Sequence, residues 1–286
     1  MTWLVTGAYG MLGTELVLAL HARDERILPL GRDLLDVRDT AAVEEALHRY
    51  RPATVVNCAA WTAVDDAEDA EDAALELNGT AVEGLARACA AVGATLVQMS
   101  TDYVFDGTSV LPYPEDAPTA PINVYGRTKL AGERAALAVG DAYVVRTEWL
   151  YGAHGSNFVR TMARLAAERD TIEVVDDQHG QPTWSADVAE RIIDLVESGA
   201  PHGVYHATNT GRTTWHGLAQ EVWSLVGRDP ASVLPTTSEK FQRPAPRPAN
   251  SVLRDVRGAA AGLPPMRGWR EALHAAWPLL ERPDPA

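Results

Sequence analysis

Short apolar runs alternate along this chain with longer segments in which apolar residues return at helical spacing, a pattern that predicts strand–helix repeats and a parallel sheet. The first run, Trp3 to Thr6, passes through a glycine turn into a periodic helix reaching about Leu20. Next come a strand at Arg26 to Leu30, a helix from Asp39 to Tyr50 with Asp39 as its N-cap, a strand at Thr54 to Asn57, and a helix from Ala73 to Ala91. Strands at Thr95 to Met99 and Ala142 to Val145 flank an extended loop, Pro112 to Pro121, and a helix opening at Asn123. Beyond these the pattern predicts helices from Asn157 to Arg169, Ser185 to Ser198, Thr214 to Val226 and Trp269 to Leu280. Strands are expected at Glu173 to Val175 and Gly203 to Thr208, the latter returning to the sheet, and a loose tail from Glu281 to Ala286.

Composition narrows the class. With 286 residues, 46% of them hydrophobic and 22% charged, the chain can bury a large core in one α/β domain or two unequal ones. Its 39 acids against 25 bases give a net charge of −14, which argues against nucleic acid as a partner. Cys58 and Cys89 lie far apart without metal-ligand spacing, as expected of free thiols in a reducing compartment. No charged leader precedes Trp3, and no apolar run approaches the ~18 residues of a membrane span, so a soluble, cytoplasmic protein is expected.

The chemistry gathers at the ends of the early strands. In Gly7-Ala-Tyr9-Gly10-Met11-Leu12-Gly13, the first glycine allows a tight turn, the second a close approach to a pyrophosphate, and the third close packing of helix on strand. The helix start offers free amides to phosphate. Arg32, after the second strand, suits a ribose 2′-phosphate, although Asp33 adjoins it; in related folds the position of Asp36 and Val37 lies along the adenine edge. The small residues after Asn57 leave room for an adenosine against the backbone. The strand ending near Met99 delivers Ser100 and Thr101 at its carboxyl end and so aims a hydroxyl into the cleft. Tyr125 and Lys129, four apart on a helix, share a face with Cβ atoms about 5–6 Å apart, close enough for the ammonium to lower the phenol's pKa. Trp149 can wall a pocket or fill the core. Lys240, Arg243, Arg247, Arg254 and Arg257 gather in a proline-studded segment and suit a diphosphate. The acid run from Asp65 to Asp72 reads as a solvated helix start with no chemical role, and His179 as a bystander.

The glycine turn, Asn57-Cys-Ala-Ala-Trp-Thr-Ala-Val-Asp65, Ser100-Thr-Asp-Tyr-Val-Phe-Asp-Gly107, Asn123-Val-Tyr-Gly-Arg-Thr-Lys-Leu-Ala-Gly-Glu133, Arg146-Thr-x-Trp149, Asp176-Asp-Gln-x-Gly-x-Pro-Thr183 and Arg247-Pro-x-Asn-Ser251 occur in order along nearly the whole chain. Together they resemble the dTDP-4-dehydrorhamnose reductase family of extended short-chain dehydrogenase/reductases. Glu148 departs from the pattern, standing where small residues are frequent. The resemblance implies an α/β fold, a Rossmann-type doubly wound parallel sheet with a smaller C-terminal substrate-binding lobe. The cofactor domain would comprise residues 1–148 and 185–210, and the lobe residues 149–184 and 211–286. It implies NADPH as cofactor, NADH as an alternative, and a dTDP-4-keto-6-deoxysugar as substrate, reduced to dTDP-L-rhamnose. Thr101, Tyr125 and Lys129 fall on the catalytic positions. Gly7, Tyr9, Gly10, Met11, Leu12, Gly13, Arg32, Asp36, Val37, Ala59, Ala60, Thr62, Tyr125 and Lys129 would contact the cofactor. Thr101, Asp102, Tyr103, Trp149 and Arg247 would contact the substrate. Rival readings are a ketoreductase for another nucleotide deoxysugar and a non-catalytic NADP-binding subunit. Some members are magnesium-linked dimers, and Glu15 matches one of their positions; here no obligatory metal is expected, and the chain is read as a monomer or homodimer.

Overall fold

Strand residues alternate between two covered faces, and that alternation builds the core. A computed structural model describes residues 1–280; the tail expected to be loose lies outside them. Six strands form one parallel sheet in the order Gly203–His206, Ala142–Thr147, Thr95–Thr101, Thr54–Asn57, Thr2–Thr6, Arg26–Leu30. Trp3, Val5, Val56, Val97, Tyr143 and Val145 point to one face, under the helices Met11–Ala22 and Ser185–Glu197. Leu4, Val55, Leu96 and Val144 point to the other, under Thr40–Tyr50, Ala81–Val92 and Val124–Leu137. With both faces buried, the strands read as nearly continuous apolar runs. The Rossmann-type doubly wound sheet expected from the sequence is the one observed.

A separate core lies beyond the carboxyl ends of the strands. Tyr151, Val159, Met162, Leu218, Trp223, Leu273 and Trp277 are buried together, drawn from the strand Leu150–Tyr151 and the helices Phe158–Glu168, Trp215–Leu225 and Trp269–Leu280. Ile172–Val175 pairs in parallel with Val233–Thr236, a strand that prolines conceal in the sequence. Leu150–Tyr151 pairs with Thr183–Trp184, and His179–Gly180 with Thr213–Thr214. Among the described residues no helix is long and apolar enough to cross a membrane.

Three local expectations change. The helix predicted from Ala73 to Ala91 is broken by a π-helical turn, Glu76–Thr80, between Glu71–Leu75 and Ala81–Val92. Its cause is distant: the Asn78 side chain accepts from Trp61 N at 2.9 Å and donates to Trp61 O and to Thr128 Oγ1 at 3.1 Å. Ser185 is the first residue of its helix rather than the cap, a position that Trp184 holds without a side-chain bond. The fourth strand runs on to Thr101, so Ser100 and Thr101 belong to the sheet and are held by its ladder.

Candidate active site

Backbone requirements shape the groove before any side chain enters it. Gly7 takes φ +61°, which any L side chain resists, and a methyl group on Gly13 would collide with the Gly7 carbonyl. No side chain caps the helix Met11–Ala22, so its first amides are left for a ligand. Asn57 fastens the neighbouring strand ends, accepting from Thr6 Oγ1 at 2.6 Å and donating to Gln98 Oε1 at 2.8 Å. These features fit a dinucleotide pyrophosphate.

Three contiguous cavities follow one another along the strand ends. The first, about 410 Å³, is bordered by Gly7, Tyr9, Gly10, Arg32, Asp36, Val37, Ala59 and Ala60. Arg38 also borders it, a residue the sequence reading missed. Its guanidinium grips Asp36 through Nε–Oδ1 at 2.9 Å and Nη2–Oδ2 at 2.5 Å, holding that carboxyl down at about 2. Arg32 is 81% exposed and only 3.9 Å from Asp36, so its charge stands ready at the cavity mouth.

The second cavity, about 560 Å³, shares Gly7, Gly10 and Ala60 with the first and is lined by Met11, Leu12, Gly13, Thr62, Thr101, Asp102, Tyr103, Tyr125, Lys129 and Trp149. Asn123 caps the helix Val124–Leu137 by accepting from Gly126 N at 2.8 Å and ties it to Pro246 O. Gly126 is needed because a methyl there would strike the Tyr103 carbonyl; the helix thus seats directly on the turn after Thr101. Tyr103 and Tyr125 meet edge-to-face at 5.7 Å.

The expected Tyr125–Lys129 coupling is not what the side chains make. Lys129 Nζ turns to the Met99 carbonyl at 2.6 Å, and burial lowers its pKa to about 8, with the Glu133 charge opposing. Burial, and then the Asp102 charge, push the Tyr125 phenol up, while the Thr101 hydroxyl acts the other way. Lys129 Nζ is turned away to Met99, and Thr101 gives its hydroxyl proton to Asp102 Oδ1 at 2.8 Å. Two buried acids, Asp102 expected at the substrate and Glu148 noted only as a departure from the pattern, face the site as acids: Asp102 is raised by burial to about 7, and Glu148 is raised well above the carboxylate range by burial and by Asp102. Ser251 donates to Glu148 Oε2 at 2.7 Å.

Trp149 sits at φ +46°, rare for a bulky residue, with its ring stacked on Trp215 at 3.6 Å and 10°. Trp215, unanticipated because it comes from a distant helix, lines both this cavity and the third. That third cavity, about 680 Å³, is bounded by Tyr103, Phe158, Met162, Gln178, Arg243 and Arg247. Arg247 lies here rather than beside Thr101. Asp65 pairs with Arg247 at 3.0 Å and with Arg243 at 3.8 Å and accepts from Ala245 N, so one member of the acid run pins the basic loop. The five bases do not gather as expected: Arg254 borders a separate cavity, and Arg257 packs on Tyr205 and donates to the His202 carbonyl.

A glycine-turned Rossmann sheet with a Thr, a Tyr and a Lys converging at its carboxyl edge defines a short-chain dehydrogenase/reductase. The family model described as "RmlD substrate binding domain" matches residues 1–280. The chain is 57% identical over 284 residues to a dTDP-4-dehydrorhamnose reductase of Streptomyces griseus, covering 97% of this chain and 93% of that one. It is 53% identical over 283 residues to a probable dTDP-4,6-dihydroxy-2-methyloxan-3-one 4-ketoreductase of Streptomyces antibioticus, with coverage of 97% and 95%. Among solved structures, dTDP-4-dehydrorhamnose reductase from Bacillus anthracis, in complex with NADP, superposes with a TM-score of 0.93 at 38% identity, covering 96% and 98%. The chain belongs to the dTDP-4-dehydrorhamnose reductase family, as its motifs led one to expect.

Proposed function

We propose that this protein reduces the 4-keto group of dTDP-4-dehydro-6-deoxy-L-mannose to give dTDP-L-rhamnose, with NADPH as reductant. The observation that carries this reading is the convergence of Thr101, Tyr125 and Lys129 in one cavity between a phosphate-binding glycine turn and a pocket edged by Arg243 and Arg247. Gly7, Tyr9, Gly10, Met11, Leu12 and Gly13 would hold the dinucleotide, with Asp36, Val37, Ala59, Ala60 and Thr62 along its length and Arg32 on a 2′-phosphate. When bound, NADPH supplies the hydride. Thr101 then holds the carbonyl oxygen as negative charge grows on it, and Tyr125 hands it a proton. Lys129, whose Nζ turns to the Met99 carbonyl rather than to the phenol, would bring its positive charge to the nicotinamide ribose. Trp149 and Tyr103 wall the sugar, Asp102 backs Thr101, and Arg247 holds the diphosphate. We assign residues 149–184 and 211–280 to the substrate lobe, the rest of the segment expected there lying outside the described residues. A groove lined by one chain works equally in a monomer or a homodimer, and the absence of membrane-spanning helices among the described residues suits a cytoplasmic enzyme.

Mixing the protein with NADPH and the dTDP-4-keto sugar should bleach the nicotinamide band, and NMR of the product should show the L-rhamno configuration. Loss of absorbance with a different product would favour the second reading, reduction of another dTDP-4-keto sugar. That reading rests on the 53% identity to the Streptomyces antibioticus ketoreductase, nearly equal to the 57%. No bleaching with either sugar would sink both.

A further inference from the structure

Thr101 carries a single hydroxyl proton and is asked to spend it in two places. Its Oγ1 lies 2.8 Å from Asp102 Oδ1 and accepts from Tyr103 N at 3.2 Å. If Asp102 is ionised, the hydroxyl proton goes to the carboxylate, and Thr101 shows a reacting carbonyl only lone pairs. If Oδ1 carries a proton, the bond reverses: Asp102 donates to Thr101, and the hydroxyl proton is free to hold a developing oxyanion.

The surroundings of Asp102 favour its neutral form. Asp102 and Glu148 are 3% and 2% exposed, and both line the reaction cavity. Asp102 Oδ2 and Glu148 Oε1 are buried without a hydrogen-bond partner in normal geometry, although the backbone amides of Gln181 and Leu253 lie near Glu148. Asp102 is further faced by Tyr125 from the helix Val124–Leu137 and by Ser251 from the C-terminal loop, while Arg247 acts on Tyr103 of its own turn. Lys129 is turned away to Met99 O. Two carboxylates so placed do not both ionise readily, and their protons belong to the pair.

We propose that Asp102 and Glu148 act as a proton-holding pair that makes Thr101 a hydrogen-bond donor to the substrate carbonyl, Asp102 being a positioning residue that works through the threonine. With both acids protonated, Asp102 donates to Thr101 and Thr101 to the substrate. After one proton leaves the pair, Asp102 Oδ1 captures the threonine proton. This rests on the reductase reading above for the identity of the carbonyl.

The test compares the pH dependence of kcat in the parent and in Asp102→Asn, whose amide can donate to Thr101 at every pH. With the pair losing its first proton at about 7 and Lys129 its proton at about 8, the parent should lose about twentyfold in kcat between pH 6 and pH 8, whereas Asp102→Asn should lose only about twofold, leaving the lysine limb. In a Thr101→Val background, adding Asp102→Asn should change kcat less than about twofold, because the effect passes through the hydroxyl. An unchanged alkaline limb in Asp102→Asn, or full inactivity with NADPH binding intact, would overturn the proposal; the second outcome would make the carboxyl a direct substrate contact. Infrared difference spectra of the parent need no variant. A buried protonated carboxyl band present at pH 6 and diminished at pH 9 is expected, and two carboxylates ionised throughout would refute the pair. Should no keto sugar be turned over at any pH, the reductase reading fails while the infrared result still decides the pair.

Discussion

At the scale of single residues, Tyr125 is the side chain on which the proposed reaction depends most. Removing its hydroxyl in Tyr125→Phe keeps the ring that meets Tyr103 and should lower kcat by about 10²–10⁴, roughly 3–5 kcal/mol of transition-state stabilisation. NADPH affinity, read by fluorescence titration, should stay within about twofold, since the dinucleotide is held mainly by the glycine turn. Parent-like turnover would mean that the proton comes from elsewhere. The residue types at this site were legible because each had a local partner or motif: a Tyr and a Lys at helical spacing, a Thr at a strand end. What escaped notice was the direction of the ammonium. Spacing gives a shared face, but the Met99 carbonyl that claims Lys129 comes from a strand thirty residues earlier. Glu148 was noticed as an oddity, yet its meaning required Ser251 and Asp102, neither adjacent in sequence.

At the scale of elements, one helix seated on one turn sets the geometry of the site. Gly126 lies against the Tyr103 carbonyl, so Gly126→Ala should cost about 1–3 kcal/mol of overpacking strain. It should also lower kcat by displacing Tyr125 from Thr101. Urea denaturation and steady-state rates would be read on the same variant; full stability with full activity would show that the seat has slack. The start of this helix could be read from Asn123 because a cap is a local signal. The π turn at Glu76–Thr80 could not, because Asn78 is drawn there by Trp61 and Thr128. Gly132, which packs where a methyl would strike the Asn78 carbonyl, shows that the turn is built into the contact between the two helices.

At the scale of the whole molecule, the sheet and the outer lobe meet through polar groups as well as through packing. His206, 2% exposed, ends the edge strand of the sheet, and its Nδ1 lies 3.0 Å from the Arg254 carbonyl of the C-terminal loop. Burial, and then the Arg146 charge, lower its pKa to about 3. The folded state therefore binds this proton far less readily than the unfolded chain, whose histidines titrate near 6.5. The stability so conferred is complete above about pH 6.5 and is lost as pH falls from there toward 3, by about 1.4 kcal/mol per pH unit. Unfolding free energies measured at pH 6.5 and 4.5 should differ by about 2 kcal/mol less in His206→Asn than in the parent; parallel slopes would remove His206 from the account. On the lobe side, Arg247→Ala should lower kcat/KM for the dTDP-sugar about ten- to a hundredfold and leave NADPH affinity unchanged. The reverse pattern would hand the loop to the cofactor. Such an effect should be partly masked by Asp65, which already neutralises Arg247 at 3.0 Å.

The parallel stack of Trp149 on Trp215 joins the loop leaving the sheet to the first turn of the helix Trp215–Leu225 in the outer core. Two indoles 3.6 Å apart share their excited states, so the pair should give an exciton couplet in circular dichroism that neither ring has alone. A shift of the lobe by a ring's thickness would weaken that coupling, which falls steeply with separation. The chain thus carries an intrinsic optical gauge of groove opening, readable without a dye, and Trp215→Phe supplies its blank.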